Sequence, residues 1–346
     1  MKINFKIKLL SVILFLMFFF CATISSVFGS AQPQSYTINI AQYQTGVDFP
    51  GYRMAEYFKS KVEELSGGRI TVKHYPGDLL GDWLTQQIAV KEGSLDMTMA
   101  PPTASFDPQT EFTVIPYLAF SLEGARKILG PGGEAEELLT EIYKRNNAHY
   151  MGIQPGGFIN IVSNKKFTPL PGDPSIKGVK TRVMQTKLEE KTIQTLGFQT
   201  LSMPWGEIHS ALMLGTINAA SGPAFSEAPL FKDVVKYHYN YQYSFAAPAV
   251  IINLALWESL STEDQEILET AMTEAVTIEW DRALEAQKAA IEEMKEAGVE
   301  IVELTPEQMG ANVALCRDVV WKWLAENVYG EELMNTLLGF AEPIPE

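Results

Sequence analysis

Arg182 is the residue whose type and position most directly indicate chemistry in this 346-residue chain. It lies near the end of the strand-like run Gly178–Val183, GVKTRV. The planar guanidinium of an arginine can hold both oxygens of a carboxylate at once. Side chains alternate along a strand, and α/β sheets bind ligands near the ends of their strands. The sequence therefore predicts a carboxylate clamp at Arg182, on the open face of its strand; a surface salt bridge is the alternative.

Catalytic residues are harder to find in the sequence. It contains no Gly-x-Ser-x-Gly, no glycine-rich phosphate loop and no His-Glu-x-x-His motif. His209 follows Trp205 by four residues on a predicted helix and is the histidine that could face a cleft, but we favour the alternative, an ordinary surface or core group, which is what a lone helix histidine usually is. Glu207 fits a first-turn residue favoured by the helix dipole better than a general base. We therefore predict a binding protein without catalytic residues or a cofactor, with a periplasmic enzyme as the alternative.

The elements that must position Arg182 follow it in the chain. A helix is predicted for Lys187–Leu196 and a second for Glu207–Leu214, each ending at a glycine, Gly197 or Gly215, suited to a left-handed cap. A strand and a tryptophan-bearing turn separate the two helices. Strand, helix, strand, helix and loop make half of an α/β domain.

The N-terminal part shows the same alternation. Residues Tyr36–Gln42 alternate as a strand does, and Gly51–Leu65 has helical spacing. A strand at Ile70–His74 follows, then a helix through Trp83, Ile88 and Val90 that stops near Gly93, and a strand at Leu95–Ala100. This succession predicts a parallel sheet with helical crossovers.

A long helix is predicted for Thr262–Ala297, capped by Ser261 with Asp264 and ended by Gly298. Thirty-six residues at about 1.5 Å each span roughly 54 Å, which exceeds the width of one small domain. Its apolar residues do not keep a heptad, which argues against a coiled coil. We expect the helix to run across two domains as a common spine.

Residues 1–31 resemble an export signal. Three lysines precede the apolar segment Leu9–Phe20, which is shorter than a membrane span, and small residues follow at Gly29, Ser30 and Ala31. An uncleaved anchor is the alternative. The bulky Phe20 before Cys21 argues against a lipoprotein. Cleavage after Ala31 would leave 346 − 31 = 315 residues with a formal charge of 24 − 42 = −18.

The acidic charge and the cysteine count of the chain limit which binding partners and covalent links it can have. So acidic a chain does not bind nucleic acid through its overall field. Cys316 is the single cysteine after residue 31, so no internal disulfide and no cysteine metal cluster can form. An exported protein without disulfides suits the bacterial periplasm. We expect Cys316 to be buried in a helix.

Three segments resemble the DctP-type solute receptors of TRAP transporters. They are Ser66–Met97, with the Gly-Arg-Ile strand and the GSLDM end; Gly178–Val183, the binding-arginine motif; and Leu201–Ala220, LSMPWGEIHSALMLGTINAA. The resemblance covers nearly the whole mature chain. It implies an α/β fold of two lobes, like type II periplasmic-binding proteins, with a ligand cleft between the lobes and a long helix shared by both. We expect lobe I to comprise 32–158 with 248–285, and lobe II 159–247 with 286–346.

The resemblance also implies site residues. Arg182 would be the carboxylate clamp. The other expected ligand contacts are Trp205, Trp83, Tyr43, Gln185, Gly222 and Phe158. Tryptophan and tyrosine rings can stack on a planar ligand and still offer a hydrogen bond, but ordinary core packing is the alternative for each aromatic residue.

Departures from the family pattern narrow the class of ligand that we expect. Ile159 stands where sialic-acid-type members have a second arginine, and Ser221-Gly222 stands where others have asparagine or the Glu-Trp pair of metal-assisted 2-oxo-acid binders. Pro101-Pro102 replaces a polar lining residue. We therefore expect no metal and a small monocarboxylate, aromatic or a 2-oxo or 2-hydroxy acid, held by one arginine.

A receptor of this family captures an organic anion in the periplasm and delivers it to the membrane permease subunits of the TRAP transporter. We expect a monomer. A sensing partner that hands its ligand to a membrane kinase would have the same fold and cleft, and is the other alternative.

Overall fold

The computed structural model describes residues 35–44 and 46–344. The predicted export signal, 1–31, lies outside the described residues. The described strands, in chain order, are β1 (Tyr36–Gln42), β2 (Ile70–Pro76), β3 (Met97–Ala100), β4 (Ala148–Ile153), β5 (Gly157–Ser163), β6 (Lys180–Val183), β7 (Gln199–Ser202), β8 (Ala219–Ala224), β9 (Tyr237–Ala246), β10 (Ala249–Asn253) and β11 (Glu300–Glu303). They form two sheets.

Helices cover and connect these sheets. In chain order they are α1 (Pro50–Leu65), α2 (Trp83–Glu92), α3 (Leu122–Leu129), α4 (Glu136–Lys144), α5 (Lys187–Thr195), α6 (Ile208–Met213), α7 (Leu254–Ser259), α8 (Thr262–Glu296), α9 (Pro306–Cys316), α10 (Lys322–Leu324) and α11 (Gly330–Phe340). Short 3-10 turns occur at Pro108–Val114, Trp205–Glu207 and Ala228–Phe231, and wider π-helical turns at Arg317–Trp321 and Ala325–Tyr329.

The first sheet has the strand order β2-β1-β3-β10-β4. Strands β1 and β3 are parallel, as the alternation of strand and helix predicts. Strand β10, which comes much later in the chain, lies antiparallel between β3 and β4. The sheet is therefore mixed rather than parallel, a difference that the pattern of the N-terminal part alone does not reveal.

The second sheet carries Arg182 and has the order β11-β9-β5-β8-β6-β7. Strand β6 is parallel to both of its neighbours, β7 and β8. Helix α6 packs on this sheet through Ile208 and Leu212, which join Val162, Phe231 and Met294 in one buried apolar cluster. This packing fixes the loops at the carboxyl ends of β6, β7 and β8, where the site lies.

The chain passes between the sheets at neighbouring places. Residues 154–156 lead from β4 to β5, and residues 247–248 lead back from β9 to β10. The two connections are hydrogen-bonded to each other, from Gln154 N to the Pro248 carbonyl (2.8 Å) and from Gly156 N to the Ala246 carbonyl (2.8 Å). A side chain at Gly156 would meet Ala246, since its Cβ would lie 2.6 Å from that methyl group.

Helix α8 confirms the prediction of a long helix shared by both parts of the fold. Its 35 residues span about 52 Å at about 1.5 Å each, and the Ser261 hydroxyl accepts from Asp264 N (3.1 Å) at its start. It packs against α1 and β4 on the side of the first sheet and against β11 on the side of the second. Arg53 of α1 binds the buried Glu279 of α8 through two nitrogens.

Other local predictions are confirmed too. Gly197 and Gly215 have positive φ, 101° and 73°, at the ends of α5 and α6. Cys316 is fully buried at the end of α9. The residue ranges assigned to the two lobes stay a prediction.

The C-terminal segment makes long-range contacts, since Trp321 Nε1 donates to the Pro116 carbonyl (2.8 Å).

Candidate functional site

Arg182 is the centre of the candidate site. It occupies β6 opposite Ala220 of β8 and Leu201 of β7. The residue is 3% exposed, so its side chain is covered rather than on an open strand face as expected. The loop after β7 and strand β8 supply the cover, since Nε donates to the Met203 carbonyl (2.9 Å) and Nη1 to the Ser221 carbonyl (3.1 Å).

The Arg182 guanidinium keeps donor capacity. Within the described residues it forms no ion pair, and its recorded hydrogen bonds use Nε and Nη1 but not Nη2. Burial lowers the pKa of Arg182, whereas the nearby Glu189, Tyr243 and Glu227 act in the opposite direction. A buried charge is costly unless it is paired. The arrangement therefore suits an anionic partner at Nη2.

Gly222 makes room for this guanidinium. Its φ is +111°, a region that other residues rarely adopt, and a Cβ built there would lie 2.7 Å from Arg182 Nη1. Glycine is needed at this position both for the backbone conformation of β8 and for the close approach of the arginine. The sequence prediction that Gly222 belongs to the site has its best structural support in this contact.

Trp205 borders Arg182 on another side. The centre of its ring lies 5.8 Å from Cζ of the guanidinium, within the range of a cation–π contact. The ring packs edge-on against Phe231, with centroids 5.5 Å apart. The residue nevertheless stays 40% exposed, so part of its surface is available to a ligand.

A buried carboxylate lies behind Arg182. Glu189 of α5 accepts from the Ser221 hydroxyl (2.5 Å) and the Tyr243 hydroxyl (2.6 Å), both through Oε1. Burial raises the pKa of Glu189, while these two bonds and the charge of Arg182 oppose the rise. Glu189 therefore ties α5, β8 and β9 together beside the guanidinium.

A second carboxylate, Glu227, lies at the end of β8. Its Oε2 accepts from Ala224 N (3.3 Å), and its Oε1 accepts from Nε2 of Gln44 (3.4 Å), which follows β1 of the other sheet. Burial raises the pKa of Glu227 to about 6, against the opposing influence of Arg182. Tyr43 belongs to this neighbourhood, because burial and the charge of Glu227 raise the pKa of its phenol well above the usual value.

The family described as bacterial extracellular solute-binding protein, family 7, or DctP, matches residues 41–327. This match spans both sheets, the long helix and every residue of the site. The chain belongs to this family. Its members bind solutes, which confirms the prediction of a receptor rather than an enzyme.

Individual relatives agree with the family assignment. The chain is 27% identical to the C4-dicarboxylate-binding periplasmic protein DctP of Rhodobacter capsulatus, over 76% of this chain and 79% of the relative. It is 24% identical to the 2,3-diketo-L-gulonate-binding periplasmic protein YiaO of Escherichia coli, over 75% and 79%. A TRAP periplasmic solute-binding protein from Ochrobactrum anthropi has a crystal structure that matches with a TM-score of 0.80 and 26% identity, over 89% of this chain and 95% of that one. The predicted two-lobe α/β fold is thereby confirmed.

Among the described residues of this family 7 protein, no helix has the length and apolar character needed to cross a membrane. Those same residues contain no group of three or more His, Cys, Asp or Glu side chains arranged to hold a metal ion.

The predicted contact residues fall into two sets. Gly222 and Trp205 touch Arg182, and Tyr43 lies near Glu227. The other three have no such placement. Trp83 is partly buried as the first residue of α2, Gln185 is exposed after β6, and Phe158 is fully buried on β5 against Phe245, with ring centroids 5.1 Å apart. Ligand contact by any of these residues stays a prediction.

The histidines have partners other than Arg182. His74 contacts Glu56 (2.7 Å), His209 contacts Asp233 (3.0 Å), and the rings of His149 and His238 stack on Trp257 (4.0 Å) and Phe225 (5.1 Å). His209 thus pairs with an acid instead of facing Arg182.

Sequence reasoning missed Glu189, Glu227 and Tyr243. Glu189 had a detectable signal, since it shares a helix face with the buried Thr192 and Ile193, three and four positions later. Tyr243 has no distinguishing signal, because every second residue of its strand is aromatic. Glu227 has none either, because it lies in a loop without periodicity.

Proposed function

We propose that this family 7 protein is the periplasmic receptor of a TRAP transporter and that Arg182 binds the carboxylate of its solute. The observation that carries the proposal is a buried guanidinium that holds two backbone carbonyls yet has no ion pair within the described residues. An organic acid would supply the missing charge. The relatives named for C4-dicarboxylates and for 2,3-diketo-L-gulonate also take organic acids.

A single carboxylate fits the charges around Arg182. The described groups whose charge acts on it are Glu189, Tyr243 and Glu227, none of which is a cation. A second carboxylate on the solute would meet these acids, and no other arginine is among the described groups whose charge acts on Arg182. We therefore infer a monocarboxylate rather than a dicarboxylate. The exposed part of Trp205 offers a surface on which an apolar, aromatic or planar portion of the solute can pack.

The proposal has three further parts: export directed by residues 1–31, delivery of the solute to the permease subunits, and a monomeric state. The mass of the protein recovered from the periplasm would test cleavage after Ala31, and light scattering would test the monomer. A dimer or a retained N-terminus would refute the corresponding part without affecting the role of Arg182.

The replacement Arg182→Ala tests the clamp. Loss of a charge-assisted hydrogen bond costs about 1.5–3 kcal/mol, so calorimetry should show affinity for the solute falling by about 10- to 150-fold. Lys180→Ala is the matched control, because Lys180 is an exposed cation two residues earlier on the same strand. Ligands can be found first by thermal shift, since a ligand at 100 times its Kd adds about 2.7 kcal/mol.

The Arg182 side chain is buried, so its removal will also change the stability of the unliganded protein. Each variant must therefore be compared with its own ligand-free melting temperature. Unchanged affinity in Arg182→Ala, or an equal loss in Lys180→Ala, would refute the clamp.

A further inference from the structure

The two carboxylates near Arg182 differ in how well their oxygens are satisfied. Glu189 accepts two short bonds, 2.5 and 2.6 Å, from hydroxyl groups. Glu227 accepts two long ones, 3.3 and 3.4 Å, from an amide N–H and a side-chain amide. Hydrogen bonds to a carboxylate from nitrogen are typically about 2.7–2.9 Å. The two bonds to Glu189 are short and both reach Oε1, whereas each oxygen of Glu227 accepts only one long bond and so keeps capacity for a further donor.

The position of Glu227 makes it accessible to a solute held by Arg182. Strand β8 gives the Ser221 carbonyl to Arg182 and, three residues later, the Ala224 N–H to Glu227. Three residues of strand cover on the order of 10 Å, a distance that a small molecule spans. Glu227 also contacts Gln44, which follows β1, so its carboxylate lies next to a residue of the other sheet's loops.

Glu227 cannot draw much more from Gln44. The side-chain oxygen Oε1 of Gln44 already accepts from Gly51 N (3.0 Å) and from Gln154 Nε2 (3.2 Å). These bonds fix the side-chain amide so that only its Nε2 points at Glu227, at 3.4 Å. The charged and titratable groups that act on Glu227 are Arg182 from β6 and Tyr43 beside Gln44. Neither forms a recorded hydrogen bond with it.

The charges make the same point. Arg182 carries one positive charge, and Glu189 and Glu227 are two acids. A plain carboxylate pairs with Arg182 but brings no cation to Glu227. A solute with its own positive charge would supply a partner for Glu227 as well.

We propose that Glu227 binds a protonated nitrogen of the solute, so that the solute is a zwitterion with a carboxylate at Arg182 and an ammonium-type group at Glu227. This inference deepens the proposed function and rests on the binding of a carboxylate by Arg182. Glu227 is then the residue that selects amino acids over plain and hydroxylated acids of the same length.

Calorimetry with three matched series of solutes tests the proposal. The series are straight-chain acids of three to six carbons, their ω-hydroxy acids and their ω-amino acids, with α-amino acids added to the last. We expect the preferred amino acid to bind the native protein at least about tenfold more tightly than its plain and hydroxy counterparts, because close charge pairs in binding sites couple by that much or more.

Three variants assign the preference to Glu227. Glu227→Gln should reduce the preference for the amino acid to within about threefold of unity while retaining the affinity for the plain acid. Glu227→Asp keeps the charge and should keep the preference, shifted to a chain one carbon longer, even where Glu227→Gln proves unstable. Glu207→Gln removes an exposed acid of the 3-10 turn before α6 and should change nothing.

The pH dependence provides an independent readout. Burial raises the pKa of Glu227 to about 6. If an ionised Glu227 binds an ammonium group, affinity for the amino acid rises between pH 5 and pH 7 in the native protein, and this rise is absent in Glu227→Gln. If a protonated Glu227 instead donates to the carboxylate of a plain acid, affinity falls over the same range.

Several results would overturn the proposal. Equal or tighter binding of plain or hydroxy acids, a preference for amino acids that survives in Glu227→Gln, or an affinity that falls as pH rises would each exclude an ammonium group at Glu227. Failure of the proposed function looks different, because Arg182→Ala would then bind the preferred solute as tightly as the native protein does.

Discussion

Replacement of Gly222 by alanine is the most discriminating test of how the site is built. The change adds one methyl group to β8, and it perturbs two separate features. The φ of +111° is strained for any residue with a Cβ, and the new Cβ would lie 2.7 Å from Arg182 Nη1. Real Cβ atoms do not approach other atoms so closely, so the guanidinium has to move.

The two features contribute comparable free energies. A residue held in a disfavoured backbone region costs about 1–3 kcal/mol. Displacement of the guanidinium breaks its bond to the Ser221 carbonyl, and a hydrogen bond to a charged group contributes about 1.5–3 kcal/mol. We expect Gly222→Ala to lower the free energy of unfolding by about 2.5–6 kcal/mol and the affinity for the solute by at least about tenfold.

Urea denaturation and calorimetry measure these two quantities. Gly215→Ala is the matched control, because Gly215 also has a positive φ, +73°, but an added Cβ there meets nothing within 4 Å. The control should lose about 1–2 kcal/mol of stability and no affinity. The excess cost of Gly222→Ala over Gly215→Ala then reports the contact with Arg182.

A double-mutant cycle decides whether that contact is the cause. With Arg182→Ala as the background, the added methyl has no guanidinium to displace, and Gly222→Ala should cost only as much as the backbone strain. The structural reasoning is refuted if Gly222→Ala costs the same in both backgrounds, or if the single variant keeps native affinity.

Two further predictions concern buried polar groups. Glu189→Ala removes the acceptor of the Tyr243 hydroxyl, whereas the Ser221 hydroxyl keeps the Arg182 carbonyl (3.1 Å) as an acceptor. Urea denaturation should therefore show a loss of about 1–3 kcal/mol, while replacement of the exposed neighbour Glu190 by alanine should stay within about 0.5 kcal/mol of native; equal costs would contradict the assignment. Burial lowers the pKa of His238 to about 4 from its usual 6.5. The folded state therefore binds its proton less readily than the unfolded chain, so His238 contributes stability that is complete above pH 6.5 and is lost as pH falls towards 4, by about 3 kcal/mol in total. The difference between native protein and His238→Phe in urea denaturation should show this slope, and parallel pH profiles would contradict it.

The fold could be predicted from local signals where those signals are strong. The glycine caps at Gly197 and Gly215, the start of α8 at Ser261 and the length of that helix follow from residue types and spacing, and all are confirmed. The antiparallel position of β10 in the first sheet could not be predicted in this way. Strand pairing between distant segments depends on tertiary packing, which no local period encodes.

The residues of the site show the same difference between local features, which can be predicted, and tertiary contacts, which cannot. Arg182 and Gly222 are identifiable because a strand with a single arginine and a glycine loop are local features, whereas the closeness of Glu189 to Arg182 arises only when α5 packs behind β6 and β8. Burial was misjudged for the same reason. An open strand face was expected at Arg182, but carbonyl groups from the loop after β7 and from β8 close over its side chain.

The hydroxyl groups around Glu189 bear on how Arg182 stays charged while its Nη2 forms no described hydrogen bond. A free carboxylate beside a buried guanidinium would form an ion pair with it, and a solute would then have to displace that pair. Here Ser221 and Tyr243 hold Oε1 of Glu189 with two short bonds, and no described hydrogen bond joins Glu189 to the guanidinium, so the carboxylate acts on Arg182 through its charge alone. The charge of Glu189 raises the pKa of Arg182 against the effect of burial, while Nη2 stays available. The solute carboxylate thus forms the ion pair with Arg182 that the described residues do not provide. Ligand binding should therefore stabilise the protein.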